Sequence, residues 1–568
     1  MYTITGNDLT LTLQHRMIIK IKLEVYTLDG KYVNELMGGF VEGSSTIDAE
    51  SDVRRTCSLT FIPSVQSRAT IEEEGYFWID KNVRLSLGIE DTRNGDITWY
   101  KQGTYIFTQA SMTYDATTNQ IQLSCSDYMA TLDGTRNGQL GQQIIEVPAY
   151  TEDEVTGEVI KYNTIREAMI YTVSQLGRIN NYKVDDIGEF LGMPQYNPDY
   201  IQYREQSKVP VKDGTLTPIW NTVPYDLEFS SGCSVLDIIN ELRDLYPNYE
   251  CYMDIDNNFC CNMIPSCYED DIMLNNSYMQ KIIISENTTV DFTQVKNVVE
   301  IWGSSIETDY FNDEGVTLSG DTYVWSNEAM KEKYYNGDKV GARIPSTNPA
   351  NSKININGFG AIDIYDENTD KPLSANVLEA NEIYVFKIKS KYVNRTNIFR
   401  AYLLGRYQVH AMAALVSRPD GNPDDLVTFE GKTFPRYSEE YFKVIHNCEY
   451  VYLDVIPDSP FTCQKLGVIL SVKSGEEFEN IESSSVGVAN AKYQLWKSAR
   501  LPDSITLETK LCPFMDVNQK IEYKPAIYDN DEPHQYIVKN ITHNWDSGTT
   551  SWTLMRFYPL YQDPYPTG

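Results

Sequence analysis
Tyr105-Ile106-Phe107-Thr108-Gln109-Ala110-Ser111-Met112-Thr113-Tyr114-Asp115 has a counterpart late in the chain. It is Tyr536-Ile537-Val538-Lys539-Asn540-Ile541-Thr542-His543-Asn544-Trp545-Asp546. Each is a β-rich run ahead of a polar turn that opens on aspartate. Tyr105, Ile106 and Phe107 match Tyr536, Ile537 and Val538, and Tyr114-Asp115 matches Trp545-Asp546. Past the turn, Ile121 and Leu123 match Trp552 and Leu554. All these pairs are 431 residues apart without a gap. Period-two patterning is common to all hairpins. One spacing held across both strands points instead to a duplicated unit. A looser match precedes each copy: Phe77, Asp80, Asn82 and Val83 against Phe514, Asp516, Asn518 and Ile521, with a one-residue shift.

Working outward, residues 17–135 read as consecutive strands and hairpins. Ile18–Thr27 runs into the turn signal Asp29-Gly30, and Val83–Glu90 alternates up to Asn94-Gly95. Residues 136–280 are mixed. Thr164-x-x-Glu167 and Ser234-x-x-Asp237 are capping boxes that predict helices, the second ended by Pro247. A hairpin follows, Glu250–Ile255 and Phe259–Ile264, turning at Asp256-Asn257-Asn258. Strands return over 281–303, and a polar, turn-rich stretch runs to about Asn376. Arg395–Val416 reads as a helix, Tyr441–Val455 and Gly467–Val472 as strands, and 483–501 as a helix. Strands Ser504–Leu511, Lys520–Tyr523, Gln535–Trp545 and Ser551–Tyr558 close the chain.

The expected fold is therefore mainly β with α+β insertions. Two similar β-barrel domains share one chain with two peripheral domains. The boundaries are an N-terminal segment 1–16, a first barrel 17–135 and an α+β domain 136–280. A discontinuous second barrel (281–303 and 481–568) encloses an inserted β-rich domain with one helix, 304–480. A chain of 568 residues exceeds one hydrophobic core.

Charge and composition exclude several classes. The formal charge of −32 argues against general phosphate-backbone binding and against an anionic membrane surface. Met1 to Tyr26 carries no secretory pattern, and no apolar run reaches membrane-helix length, so synthesis in a cytosol is expected. The 41 tyrosines suit strands and interfaces. The ten cysteines show no zinc spacing: Cys251, Cys260, Cys261 and Cys267 read as reduced, buried thiols.

Catalytic patterns fail on inspection. Cys233 precedes a helix, where a thiolate is favoured, but the next histidine is His410, beyond two domain boundaries. His15, His410, His446, His534 and His543 lack paired metal spacing. Gly431-Lys432-Thr433 has no glycine-rich cradle before it. Asp254-x-Asp256-x-Asn258 has Phe259 where a calcium loop needs glycine. No catalytic, metal or cofactor residue is expected.

Three stretches carry a family resemblance. They are Phe77–Glu90 with Ile97–Ile106 and Leu123–Tyr128, then Asn297–Gly303, then Ala489–Arg500 with Ser504–Thr509 and the closing hairpin. Together they resemble the baseplate or tail-tip hub proteins of tailed bacteriophages and related contractile particles, over about half the chain. The resemblance implies tube-type barrels and a homotrimer forming a six-part ring in the virion tail. Implied partners are tail-tube or distal tail protein, a spike or tip protein, and the tape-measure protein. DNA would cross the lumen only transiently, and no stable membrane association is implied. Part of the negative charge is expected to face that channel. Tyr105, Phe107, Tyr536 and Val538, with Tyr114, Asp115, Trp545 and Asp546, are the expected core or ring-contact positions of the repeat, core ahead of contact. A receptor- or carbohydrate-binding tail protein and a cell-wall hydrolase are the competing readings.

Overall fold
The computed structural model describes residues 4–556 apart from 64–67, 115–116, 118, 142–143, 154–155, 189–207, 247–248, 265–271, 307, 332, 368–369, 394–395, 430, 476–477, 479–480, 482–483, 502 and 527–531. Asp115 and Pro247 lie outside the described residues. The first strands are β1 (Ile18–Thr27), β2 (Tyr32–Met37), β3 (Phe40–Asp48), β4 (Arg55–Phe61), β5 (Lys81–Glu90), β6 (Ile97–Tyr114) and β7 (Asn119–Ser126). The turn signals act where expected. Gly30 takes φ +85° between β1 and β2, and Gly95 takes φ +79° where Asp91 N–H meets Asp96 O between β5 and β6.

The capping boxes form as read. Thr164 and Glu167 start α1 (Ile165–Tyr171), which runs on through one wider turn to Leu176. Ser234 and Asp237 start α2 (Val235–Asp244), whose Val235, Ile238, Ile239 and Leu242 are buried as one stripe. The hairpin β8 (Tyr249–Met253) and β9 (Phe259–Met263) turns through Asn257 at φ +64°.

Further along come β10 (Ile272–Leu274), β11 (Ile283–Val290), β12 (Val298–Ser305), β13 (Gln408–Val416), β14 (Tyr450–Val455) and β15 (Leu470–Ser474). After them come α3 (Ser484–Ser498), β16 (Asp503–Lys510), β17 (Lys520–Tyr523), β18 (His534–Asn544) and β19 (Thr549–Arg556). One 13-stranded sheet runs β2-β1-β5-β6-β7-β4-β3-β18-β19-β16-β11, with β17 paired to β18 and β10 to β17. Within it the order β5-β6-β7-β4-β3 recurs as β17-β18-β19-β16-β11, every step antiparallel.

The repeat is visible in ladder detail. β6 bulges between Phe107 and Gln109, and β18 bulges between Val538 and Asn540, the same place on the 431-residue spacing. Val83 faces Tyr105 as Ile521 faces Tyr536. The return strand corrects the sequence reading. Phe107 faces Cys125 whereas Val538 faces Leu554, and Ala110 faces Leu123 as Ile541 faces Trp552. Leu123 therefore corresponds to Trp552 and Ile121 to Thr550, because the second turn is two residues shorter. An even slip leaves each side chain on its face, so the sequence pattern survives it. Each set has its own core: Leu59, Val83, Tyr105 and Leu123 in the first, Leu507, Ile521, Tyr536 and Leu554 in the second.

Three expectations change. Arg395–Val416 is two strands, Thr396–Arg406 and β13, and not a helix. Val409–Val416 is buried throughout because β13 packs α3 on one face and a separate cluster around Phe442 on the other. A strand covered on both faces has no period to read. The strand expected from Tyr441 begins instead as the helix Glu439–Ile445, whose Ser438 hydroxyl accepts the Tyr441 N–H at 3.2 Å; only β14 is extended. The domain lines also move. β12, expected to open the second barrel, lies in a mixed sheet β14-β13-β12-β15 under α3. It shares a core with α1 and α2 through Val299, Ile301 and Leu495. The stretch expected as one insertion, 304–480, divides. Tyr310–Arg406 forms a nine-stranded sheet with its own core of Tyr323, Ile354, Ile364 and Phe386, strands β13, β14 and β15 join the β12 sheet, and Asn422–Phe429 pairs with Lys432–Arg436 as a separate hairpin. The N-terminal segment contributes a short helix, Gly6–Thr12, that puts Leu11 into the second set's core.

Candidate functional site: the seam between the strand sets
The two sets meet where β3 pairs with β18. Ser45 stands opposite His543 and Ile47 opposite Ile541, all four buried. On the other face the Thr46 and Thr542 hydroxyls are 3.0 Å apart. Trp545, just past β18, is only 4% exposed and packs in the core of the first set. Its ring lies over Gly43 of β3: a Cβ there would stand 2.3 Å from Trp545 Cζ3 and 2.7 Å from Ser58 O. The close approach requires glycine.

Polar groups stitch the same seam. Arg55, at the start of β4, places Nη2 2.5 Å from Asp516 Oδ2 in the second set and donates Nη1–H to Gln102 O at 3.2 Å. Gln102 Nε2–H in turn donates to Pro513 O at 2.9 Å. Arg54 Nη2 reaches Glu250 Oε2 on β8 at 2.6 Å, and its guanidinium lies 3.8 Å over the Tyr252 ring. The Asn518 amide donates to the same Glu250 oxygen. The first set, the α+β unit and the second set are thus tied at one charged node.

Burial, the largest single influence, would raise the Asp516 carboxyl, but the Arg55 guanidinium, the Val517 N–H and Arg54 together outweigh it and the group titrates below its ordinary value. Asp127 differs. Burial pushes it up to about 6, although it accepts N–H bonds from Arg55 at 2.8 Å and Met129 at 3.0 Å. His543 is pushed down to about 4, chiefly by burial. Unfolded, the imidazole binds a proton near pH 6.5. The depressed native value means stability is full above that pH and is lost as pH falls toward about 4. His543→Met, which installs the type found at the matched position Met112, is expected to remove roughly 3 kcal/mol of acid sensitivity across that window. Urea midpoints measured at pH 7, 5.5 and 4.5 for both proteins check it.

Of the repeat positions named from sequence, Tyr105, Phe107, Tyr536 and Val538 are buried in the two cores. Tyr105 Oη donates to Gln102 O at 3.2 Å. Tyr114 is 77% exposed whereas its match Trp545 is buried, so the two hairpin tips do different work. Asp546 is exposed, and Asp115 lies outside the described residues. Sequence reading missed Gly43, Arg54, Arg55, Glu250 and Gln102. The sign it could have used is Arg54-Arg55, two cations at a strand start in a strongly acidic chain.

Groups of catalytic type are engaged otherwise. The Cys233 thiol is raised by burial, against activation. Glu300 on β12 pairs with His446 Nδ1 at 2.5 Å and faces His410 Nε2 at 3.9 Å, and His410 stacks on Trp302. Cys448 close by points its S–H at the carbonyls of His410 and Tyr450, and burial pushes it up to about 12. Such a thiol is a donor, not a nucleophile. Asp254 is held by Lys183 at 2.7 Å and by Asn258, as a hairpin turn.

A model of a domain of unknown function, DUF5048, matches residues 458–561, which take in α3 and the strands from β16 to β19. No curated protein sequence matches the chain. Among solved structures, the tail protein from Neisseria meningitidis MC58 is 8% identical at a TM-score of 0.42, over 96% of this chain and 99% of that one. The 43 kDa tail protein of prophage MuSo2 from Shewanella oneidensis is 9% identical at 0.41, over 94% and 98%. The Francisella PdpA-VgrG complex is 8% identical at 0.36, over 98% of this chain and 54% of that one. The solved structures to which this chain is similar thus include tail proteins, one of them from a prophage, and a complex containing VgrG.

Proposed function
We propose that the chain is a structural hub subunit of a phage tail or phage-like particle, working by interface complementarity and not by catalysis. In this reading three copies assemble so that their six strand sets form one ring of tube-type barrels. The ring continues a sixfold tail tube on one side and seats a threefold spike or tip on the other. DNA and the tape-measure protein pass through its bore. The observation that supports this most is the repeated strand order with a common bulge position, both sets lying in one sheet and joined by one seam. Two like modules in a single chain let a threefold assembly present sixfold symmetry. The acidic balance fits a bore that must not trap phosphates. The Tyr310–Arg406 sheet, having its own core, would clad the outside.

Electron micrographs of the purified protein test this reading. End-on views are expected to show six inner lobes around a hole with three outer projections. Compact single subunits without a hole would contradict it.

A further inference from the structure
β3 occupies the seam because β18 supplies its second neighbour. The ladders identify which strands hold the same places in the other halves. β4 matches β16 through their pairing with β7 and β19, which puts Cys57 with Ile505 and Leu59 with Leu507. β3 on β4 then matches β11 on β16, so Ser45, Thr46 and Ile47 correspond to Thr288, Thr289 and Val290. The residues agree with the registers. Ser45-Thr46-Ile47-Asp48 and Thr288-Thr289-Val290-Asp291 match type for type. Each ends in an aspartate whose Oδ1 accepts the N–H two residues on, Asp48 from Glu50 and Asp291 from Thr293, both at 2.9 Å. On the partner side, Asn540–Asn544 of β18 corresponds to Gln109–Thr113 of β6.

Both corresponding edges are open. Among the described residues, β11 ends the large sheet and is paired there only with β16. β6 pairs with β5 only as far as Ile106; from Gln109 on, its sole ladder partner among the described residues is β7. This half of β6 is exposed, Met112 at 56%. Thr288 and Val290 are half-buried on the face where Ser45 and Ile47 are fully buried. A free edge with an apolar row is a template for another strand.

We propose that the occupant is a second copy of this chain: β11 of one subunit pairs antiparallel with Gln109–Thr113 of the next. The register repeats the seam, with Asn287 opposite Thr113, Thr288 opposite Met112, Thr289 opposite Ser111 and Val290 opposite Ala110. Thr289 and Ser111 then restore the hydroxyl contact that Thr46 and Thr542 make within the chain. The junction is head-to-tail, since one subunit gives β11 and the other β6, and such contacts build a closed ring where the rotation between subunits closes. One element differs. Glu286 stands where Gly43 does, its carboxylate held by the Tyr523 hydroxyl and the Ala526 N–H. Tyr114 is therefore not buried as Trp545 is, and the junction between subunits is the more polar of the two. This proposal rests on the ring reading and specifies its contacts.

Cysteine cross-linking of the full chain tests it. Thr289→Cys with Ser111→Cys, both at exposed positions, is expected on oxidation to give a reducible ladder of covalent oligomers ending at the trimer. Thr46→Cys with Thr542→Cys should bridge within one chain, and Thr289→Cys with Met112→Cys, on opposite faces, should leave single chains. A trimer by native mass that does not cross-link through Thr289 and Ser111, or that cross-links equally through Met112, overturns the junction and leaves the ring reading standing. A chain that stays monomeric at all concentrations overturns both.

Discussion

Arg55→Ala is expected to lower stability by about 3–5 kcal/mol, since it removes one partner of a buried ion pair and strands the other. The guanidinium side chain is 3% exposed and Asp516 24% exposed, so water screens the pair little. Without it the Asp516 carboxylate loses its guanidinium partner, and Gln102 O loses one donor while keeping the Tyr105 hydroxyl. The sign of the pH effect follows from the depressed Asp516 value. The contribution of this pair is complete above the unfolded carboxyl pKa, about 3.9, and is lost as pH falls through the lower native value. Wild type and variant should therefore converge in strong acid. Pairing Arg55→Met with Asp516→Asn should recover at least about half the loss, since neither residue is then an uncompensated charge. Urea unfolding followed by tryptophan fluorescence reads all three. An Arg55→Ala loss under about 1 kcal/mol would show that the node does not hold the seam.

Trp545→Ala is expected to cost about 3–5 kcal/mol, the range for emptying a large aromatic site in a packed core. The effect should be distributed unusually. Trp545 belongs by chain to the second set and by packing to the first, so its loss loosens β3 from β18 more than it loosens either core. Amide exchange should accelerate at Ser44–Asp48 while Leu123 and Leu554 stay protected. Gly43→Ala attacks the same contact from the other side, driving a methyl into the indole and the Ser58 carbonyl. The two changes should be non-additive, because removing the ring makes room for the methyl. Tyr114→Ala, at the matched tip, should change stability by less than about 0.5 kcal/mol in the isolated subunit, since the side chain is 77% exposed there.

The difference between those tips shows where sequence reasoning reaches and where it stops. The outgoing strands were legible because core positions and a bulge keep their spacing in both copies. The slip on the return strand was hidden, since moving by two residues preserves the in-out pattern. β11 went unrecognised as the counterpart of β3 because the chain leaves the second set after it, and returns only at β16. The match Thr46-Ile47-Asp48 with Thr289-Val290-Asp291 was there to be read, but three residues persuade only once a ladder sets their register. β13 was misread as a helix because burial on both faces erases periodicity. The node of Arg54, Arg55, Glu250 and Asp516 was out of reach: Arg55 and Asp516 lie 461 residues apart, and only the folded sheet brings them together.

Tyrosine usage is partly explained by the same structure. Tyr105, Tyr323, Tyr523 and Tyr536 are among the largest fully buried side chains. The hydroxyls of three of them reach a polar partner, Tyr105 at Gln102 O, Tyr323 at Ser346 O and Tyr523 at Glu286. Tyr114 and Tyr32 are exposed beside open strand edges. An abundance that composition assigns to strands and interfaces alike is thus divided, residue by residue, between filled cores and available edges.

Native mass spectrometry of the full chain at micromolar concentration measures the claim on which the rest depends, that two like modules per subunit exist to close a ring of six. A dominant species at three times the 65.0 kDa subunit is the predicted result. A monomer at every concentration, or a twofold dimer, would contradict it.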